Sequence, residues 1–194
     1  MAKETKEQII KTAALLVHRQ GFNNTGLGEI LKTAGVPKGS FYHYFKSKDD
    51  LGLALVDYYG KVMAGEVSPF LHDQDLPPLE RLKKMYEKLK QDLEVRGFAM
   101  GCPLGNLTQE MADLHPEFRA RLSRVLASFE AEIATLLEEA RQKGQLPENL
   151  SPKNTAAFIL QSWQGSLLAM KLSKSQAPLS NFMQAIFGHL LNSQ

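Results

Sequence analysis

The chain has 194 residues, 43% of them hydrophobic, with 23 Lys/Arg against 21 Asp/Glu, which supports a sizeable core and excludes simple disorder. Residues 1–50 hold eight Lys/Arg and five Asp/Glu, a net of +3, while residues 51–194 hold fifteen and sixteen, a net of −1, so the basic excess sits at the N-terminal end, where a polyanion can be met. A polar, mixed-charge start without an apolar signal core, no membrane-length apolar run, and the lone Cys102 imply a cytoplasmic protein with no secretion signal, internal disulfide, metal site or cofactor.

Helical periodicity runs through nearly the whole chain. Ile9, Ile10, Ala13, Ala14, Leu16 and Val17 recur at three- and four-residue spacing, predicting a first helix over 7–17 that stops at Gly21. Thr25 is placed to cap a short second helix carrying Leu27, Ile30 and Leu31, which ends near Gly35. The Gly-Val-Pro turn at 35–37 leads to a third helix of barely two turns over 37–44, with Phe41 and Phe45 four apart. Two short helices about a tight turn are the physical form of a helix-turn-helix.

Ser47 opens the fourth helix, with Asp50 at the N3 position of a capping box that uses Asp in place of Glu or Gln. This helix, over 47–67, links a first domain at 1–48 to a second at 49–194. Pro69 and the Asp-Gln-Asp-Leu-Pro-Pro stretch predict a loop over 69–78. Further helices follow at 79–95, 104–112, 116–143, 152–172 and 179–191, about nine in all, several opened by a proline suited to the first turn. Alternating β-branched runs are scarce, so the expected class is all-α.

A recognition helix needs apolar anchors on one side and hydrogen-bond donors on the other. Segment 38–44 offers both. Phe41 and Phe45 face inward, leaving Lys38, Ser40, Tyr42, His43 and Tyr44 for DNA, while Gly39 permits close backbone approach. Lys48 is placed for a phosphate, and the helix starts at Thr25 and Ser47 present N–H groups to the same anion. An amphipathic aromatic helix of this kind also serves as ordinary core; the whole order of cap, short helix, turn, short helix and basic start favours the DNA reading.

With Gly21-Phe22, Thr25, Ala34-Gly35-Val36, Gly39-Ser40-Phe41-Tyr42, Tyr44-Phe45, Lys46 and Lys48 in place, residues 9–55 resemble the tetracycline-repressor family of regulators. The resemblance implies base and phosphate contacts from Ser40, Tyr42, His43 and Tyr44, a phosphate contact from Lys48, and core roles for Phe41 and Phe45. One departure is Gly26-Leu27-Gly28 at the start of the second helix, where many members carry a hydroxyl or a basic residue. The family places effector binding and dimerisation in the C-terminal domain.

The stretch Gly101-Cys102-Pro103-Leu104-Gly105-Asn106-Leu107 with Glu110 resembles the subgroup that senses N-ethylmaleimide, in which a cysteine at the matching Gly-Cys step reacts with electrophiles and oxidants; Pro103 departs from it. Cys102 before a helix start suits a stabilised thiolate, and it equally suits a small buried hydrophobe. Phe98, Met100, Met111, Phe118, Trp163 and Met170 are candidate walls of an effector pocket, with Asn106 and Gln164 as polar members, although each also fits ordinary core. In the eighth helix Ser162, Gly165, Ser166 and Ala169 permit close helix approach beside Phe158; with Phe182, Ile186, Phe187 and Leu190 of the ninth they form the expected dimer surface, a four-helix bundle.

The five histidines fall into no metal-binding pair, and no nucleophile elbow or phosphate-binding loop occurs, which argues against an enzyme. The reading is an effector-released repressor that binds a pseudo-palindromic operator as a homodimer. An activator, or an architectural DNA-binding protein without an effector, would use the same head; the latter leaves residues 70–150 without a purpose.

Overall fold

The computed structural model describes the backbone of residues 2–192 and the side chains of residues 4–192. The described residues are helical throughout, with no β-strand among them, in keeping with the expected all-α class. α1 spans Ala2–Gln20, longer at both ends than its apolar stripe; residues 4–6 and 18–20 are helical without being buried. It stops at Gly21, whose φ of 89° lies in the left-handed region that closes a helix at little cost to glycine.

α2 spans Leu27–Ala34 and α3 spans Lys38–Phe41. Gly26, not Thr25, is the N-cap of α2, and no side chain caps it. Gly35, at φ 64°, donates to Leu31 and Lys32 carbonyls and ends α2. α3 is shorter than expected. After Phe41 the chain tightens into turns, with His43 N donating to Ser40 O (3.3 Å) and Tyr44 N to Phe41 O (2.9 Å).

α4 spans Lys48–Leu71. Its start carries the predicted Ser47 cap, Ser47 Oγ accepting the N–H of Asp50 (3.1 Å), while the return bond from Asp50 Oδ2 goes to the N–H of Lys46 (2.9 Å), one residue before the cap. Its end lies later than predicted. The helix continues through Pro69, so the predicted loop begins only after Leu71; a proline within the last turn removes one N–H bond where the helix is about to finish.

α5 spans Pro78–Val95, α6 Pro103–Met111, α7 Pro116–Gln142 and α8 Pro152–Ser173. Each begins with proline, whose missing N–H is an orphan there in any case. Ser151 Oγ accepts the N–H of Asn154 and caps α8. The expected ninth helix divides: α9 spans Ala177–Met183 and continues as a π-helical segment, Gln184–Leu190. In the wider turn Leu191 N donates to Ile186 O (2.9 Å), and these two residues, five apart, are both buried.

The chain forms two compact units. The first takes residues up to Val62 together with Pro103–Val125; the second takes Met63–Cys102 and the residues from Leu126 on. The sequence places its division at residue 48, where the linking helix starts; packing instead groups half of α4, all of α6 and the start of α7 with the helix-turn-helix. In the first unit Ile9, Ala13, Val17, Ile30, Phe41, Leu51 and Leu55 are buried, and the Tyr59 hydroxyl donates to Ala14 O across the core (2.6 Å). Burial holds that phenol well above its ordinary pKa, hence neutral. In the second unit Tyr86, Trp163 and Phe182 form an aromatic centre with ring centroids 4.9–5.1 Å apart.

Candidate functional site

The reading head is held from beneath by two phenylalanines. Phe41 and Phe45 are buried, with ring centroids 5.4 Å apart. Above them Lys38, Gly39, Tyr42 and His43 are exposed, and Ser40 and Tyr44 half-buried. Tyr42 is 54% exposed while its ring packs edge-on against Phe41 at 5.2 Å, so its hydroxyl is presented outward from a fixed ring. A Cβ built on Gly39 would have open space. The glycine is therefore not demanded by the chain's own packing, as fits a position where another surface comes close.

Two expected DNA contacts are placed differently. Thr25 is fully buried, and its hydroxyl donates inward to Gly21 O at 2.6 Å; it neither caps α2 nor faces solvent. Lys48 is half-buried, with Nζ donating to Phe22 O at 2.7 Å and lying 4.5 Å above the Phe22 ring. One of its three donors is thus used internally, and the side chain pins α4 to the α1–α2 turn. At the start of α2, Gly26 and Gly28 are exposed with open space around them, which leaves the first N–H groups of that helix unobstructed.

The same turn engages α6. Glu110 accepts the N–H groups of Phe22 and Asn23 at 3.2 and 3.0 Å. Phe22 is buried against Phe118 at 5.6 Å, and a Cβ on Gly52 would lie 2.6 Å from Phe118 and 2.7 Å from Phe22. Sequence reasoning used Glu110 and Phe118 for other purposes. No local pattern signals their role, because their partners lie about ninety residues earlier in the chain.

The expected effector residues divide between the two units. Met111, Phe118 and Asn106 belong to the first unit, and Phe98, Met100, Trp163, Gln164 and Met170 to the second. Phe118 and Trp163 fill the cores of their own units, and Met111 and Met170 are buried; Phe98, Met100, Asn106 and Gln164 are half-buried. Cys102 is 7% exposed. It follows a run of left-handed backbone, with Gly97, Phe98, Met100 and Gly101 at φ 65°, 54°, 67° and 66°. Two of these are not glycine, so the segment stores strain. The stem of Lys171 lies beside it, 3.1 Å from where a Cβ on Gly101 would stand. A separate cavity of about 340 Å³ opens between the end of α4 and α5, lined by Val67, Pro69, Phe70, Met85 and Leu89 with Glu66, Lys88 and Asp92; none of the expected wall residues lines it.

The expected dimer residues divide by exposure. Phe158 (53%), Gly165 and Ala169 are exposed on α8, with Ser162 and Ser166 half-buried. Leu168 (48%) and Leu172 (82%) extend this face and were not anticipated. Phe182 and Ile186, however, are buried within their own chain and cannot also cover a partner; Phe187 and Leu190 are half-buried. Among the described residues no group of three His, Cys, Asp or Glu side chains is placed to hold a metal, and no helix is long and apolar enough to cross a membrane.

Comparison with known proteins agrees with this geometry. Residues 9–55 match the family described as bacterial regulatory proteins, tetR family, and residues 78–186 the tetracyclin repressor-like C-terminal domain. The transcriptional regulator AcuR of Cereibacter sphaeroides is 36% identical over 95% of this chain and 84% of its own length. The transcriptional repressor NemR of Escherichia coli is 30% identical over 92% of this chain and 89% of its own. The crystal structure of E. coli NemR in its reduced form superposes with a TM-score of 0.87 at 28% identity, covering 98% of each chain. With a helix-turn-helix head and a helical second unit that both match over most of the chain, this protein belongs to the tetR family of bacterial regulatory proteins.

Proposed function

We propose that the chain is a transcriptional repressor that binds operator DNA as a homodimer in the cytoplasm and releases it when a small-molecule effector acts on the second unit. The observation that carries this reading is the reading head itself. Phe41 and Phe45 anchor a face on which Lys38, Gly39, Tyr42 and His43 are exposed; Ser40, Tyr44 and Lys48 flank it. Hydroxyl, imidazole and ammonium donors read base edges and phosphates. Two such heads about 34–36 Å apart meet successive major grooves of a pseudo-palindrome, and the apolar stripe of α8 supplies the pairing surface. Catalysis has no part in this scheme.

The effector chemistry that the site fits is a soft electrophile or an oxidant acting at Cys102. Addition of the thiol across an activated double bond forms a C–S bond and leaves the thiol proton on the electrophile's carbon. Strained backbone before Cys102 and the Lys171 stem beside Gly101 support this choice, as does the existence of a reduced form of the related NemR. The cavity between α4 and α5 favours a second reading, a non-covalent apolar ligand.

The test is operator binding by the purified wild type beside Cys102→Ser, at fixed salt, with and without N-ethylmaleimide. Release of DNA by the reagent in wild type alone supports a thiol sensor. Indifference of both proteins removes Cys102 from the mechanism and leaves the cavity, and failure of the untreated wild type to discriminate any sequence sinks the repressor reading.

A further inference from the structure

The turn between α1 and α2 is held together by charged side chains from distant helices. Gly21 closes α1 by donating to Val17 O (2.9 Å), and Thr25 N donates to Phe22 O (3.2 Å). Of the N–H groups between them, those of Phe22 and Asn23 converge on the two carboxylate oxygens of Glu110 at 3.2 and 3.0 Å. A Cβ on residue 21 would stand 3.0 Å from Glu110 Oε1. Gly21 thus suits the turn by its φ of 89°, and its missing Cβ leaves the carboxylate room to approach. From the opposite side Lys48 donates to the Phe22 carbonyl.

We propose that Glu110 is a positioning residue for operator recognition, clasping the Phe22 and Asn23 amides so that α6 and the reading head move as one body. The proposal rests on the repressor reading above. Its physical basis is that one carboxylate accepting two N–H bonds makes a directional, two-point link. α6 lies in the same compact unit as α1, α2 and α3, and it begins at the residue after Cys102, where the other unit's segment ends. Displacement of α6 is then transmitted to the turn that sets the direction of α2, and through α2 to α3. Gly52 and Phe118 complete the joint by seating the Phe22 ring without play.

Electrostatics alone predicts the opposite sign. Glu110 places a negative charge on a head that must meet phosphates, so neutralising it would tighten DNA binding. A clasp predicts weaker specific binding on neutralisation, because the head loses its fixed orientation. A merely stabilising residue predicts equal losses on specific and unrelated DNA, following the folded fraction.

The experiment uses the full-length protein and an operator selected by the wild type from a random duplex pool. Binding to that duplex and to an unrelated one is measured for wild type, Glu110→Gln and Glu110→Asp, together with hydrogen exchange at the Phe22 and Asn23 amides. Glu110→Gln is expected to bind the selected duplex about tenfold more weakly, with binding to the unrelated duplex unchanged or slightly tighter and faster exchange at both amides. Glu110→Asp, one methylene shorter, is expected to be intermediate. Equal or tighter binding of Glu110→Gln to the selected duplex overturns the proposal, as does a parallel loss on both duplexes. If the wild type selects no sequence, the repressor reading fails by itself; the clasp is then judged by exchange, upheld by faster exchange at both amides and removed by unchanged rates.

Discussion

Thr25 shows how one residue's role turns on the direction of a hydroxyl. It stands where a helix cap and a phosphate contact are both expected, yet it is fully buried and donates to Gly21 O. Thr25→Val keeps the shape and removes the donor, leaving a turn carbonyl short of a bond. The expected cost is about 1 kcal/mol of stability, seen as a lowered denaturation midpoint, with the DNA affinity of the folded protein unchanged. A phosphate contact would give the reverse pattern: stability retained and DNA affinity lowered about equally on all sequences. Lys48 is legible in the sequence only in part, since its charge and position suggest a phosphate but nothing nearby announces the Phe22 carbonyl 26 residues earlier.

At the level of elements, what was readable followed from short-range physics. Proline at the first turns of α6 to α8, the left-handed glycines after α1 and α2, and the Ser47 cap all act within about four residues, and each is where the sequence places it; Pro78, expected in the loop, instead opens α5. Pro69 inside α4 and the π-helical end after Met183 were not readable, because tertiary packing overrides the local signal there. Arg81 is the sharpest such case. Although arginine is rarely interior, it is 1% exposed, donating Nε to Leu76 O (2.8 Å) and Nη1 to Glu139 Oε2 (3.0 Å) and so tying the start of α5 to α7.

Arg81→Ala is expected to cost the second unit about 3 kcal/mol, since it removes these donors and leaves a void. Glu139 also accepts from Lys143 at 2.7 Å; that hydrogen bond, with the Arg81 charge, holds its carboxyl below the ordinary value of 4.5. A depressed folded-state pKa contributes stability above the unfolded value and loses it as pH falls through the folded one. Glu139→Gln is therefore expected to be less stable than wild type at neutral pH, with the difference in midpoint shrinking as pH drops below about 4.5. A difference that stays constant from pH 7 to pH 3 would show that the charge of Glu139 is not what holds the pair.

For the molecule as a whole, the proposed pairing would use a surface that a single chain leaves uncovered. Phe158, Leu168 and Leu172 are exposed on α8 beside Gly165 and Ala169, and a Cβ on Gly165 meets nothing within 4 Å. Apolar side chains flanking small residues on one helix face are suited to a second helix at close range. Phe182 and Ile186 look similar in the sequence, but they are spent inside their own chain; burial, not hydrophobicity, separates the two sets. The double variant Phe158→Glu, Leu168→Glu places charge on the exposed set without touching the core. It is expected to sediment at the mass of one 21.7 kDa chain with unchanged helical circular dichroism. Two heads that no longer share a body lose the effective concentration that makes the second contact intramolecular, so operator affinity is expected to fall about hundredfold. The matching pair Phe182→Glu, Ile186→Glu should instead unfold the second unit. If the α8 variant remained dimeric and bound DNA as before, pairing would have to use another face, and the spacing of the reading heads would be set elsewhere.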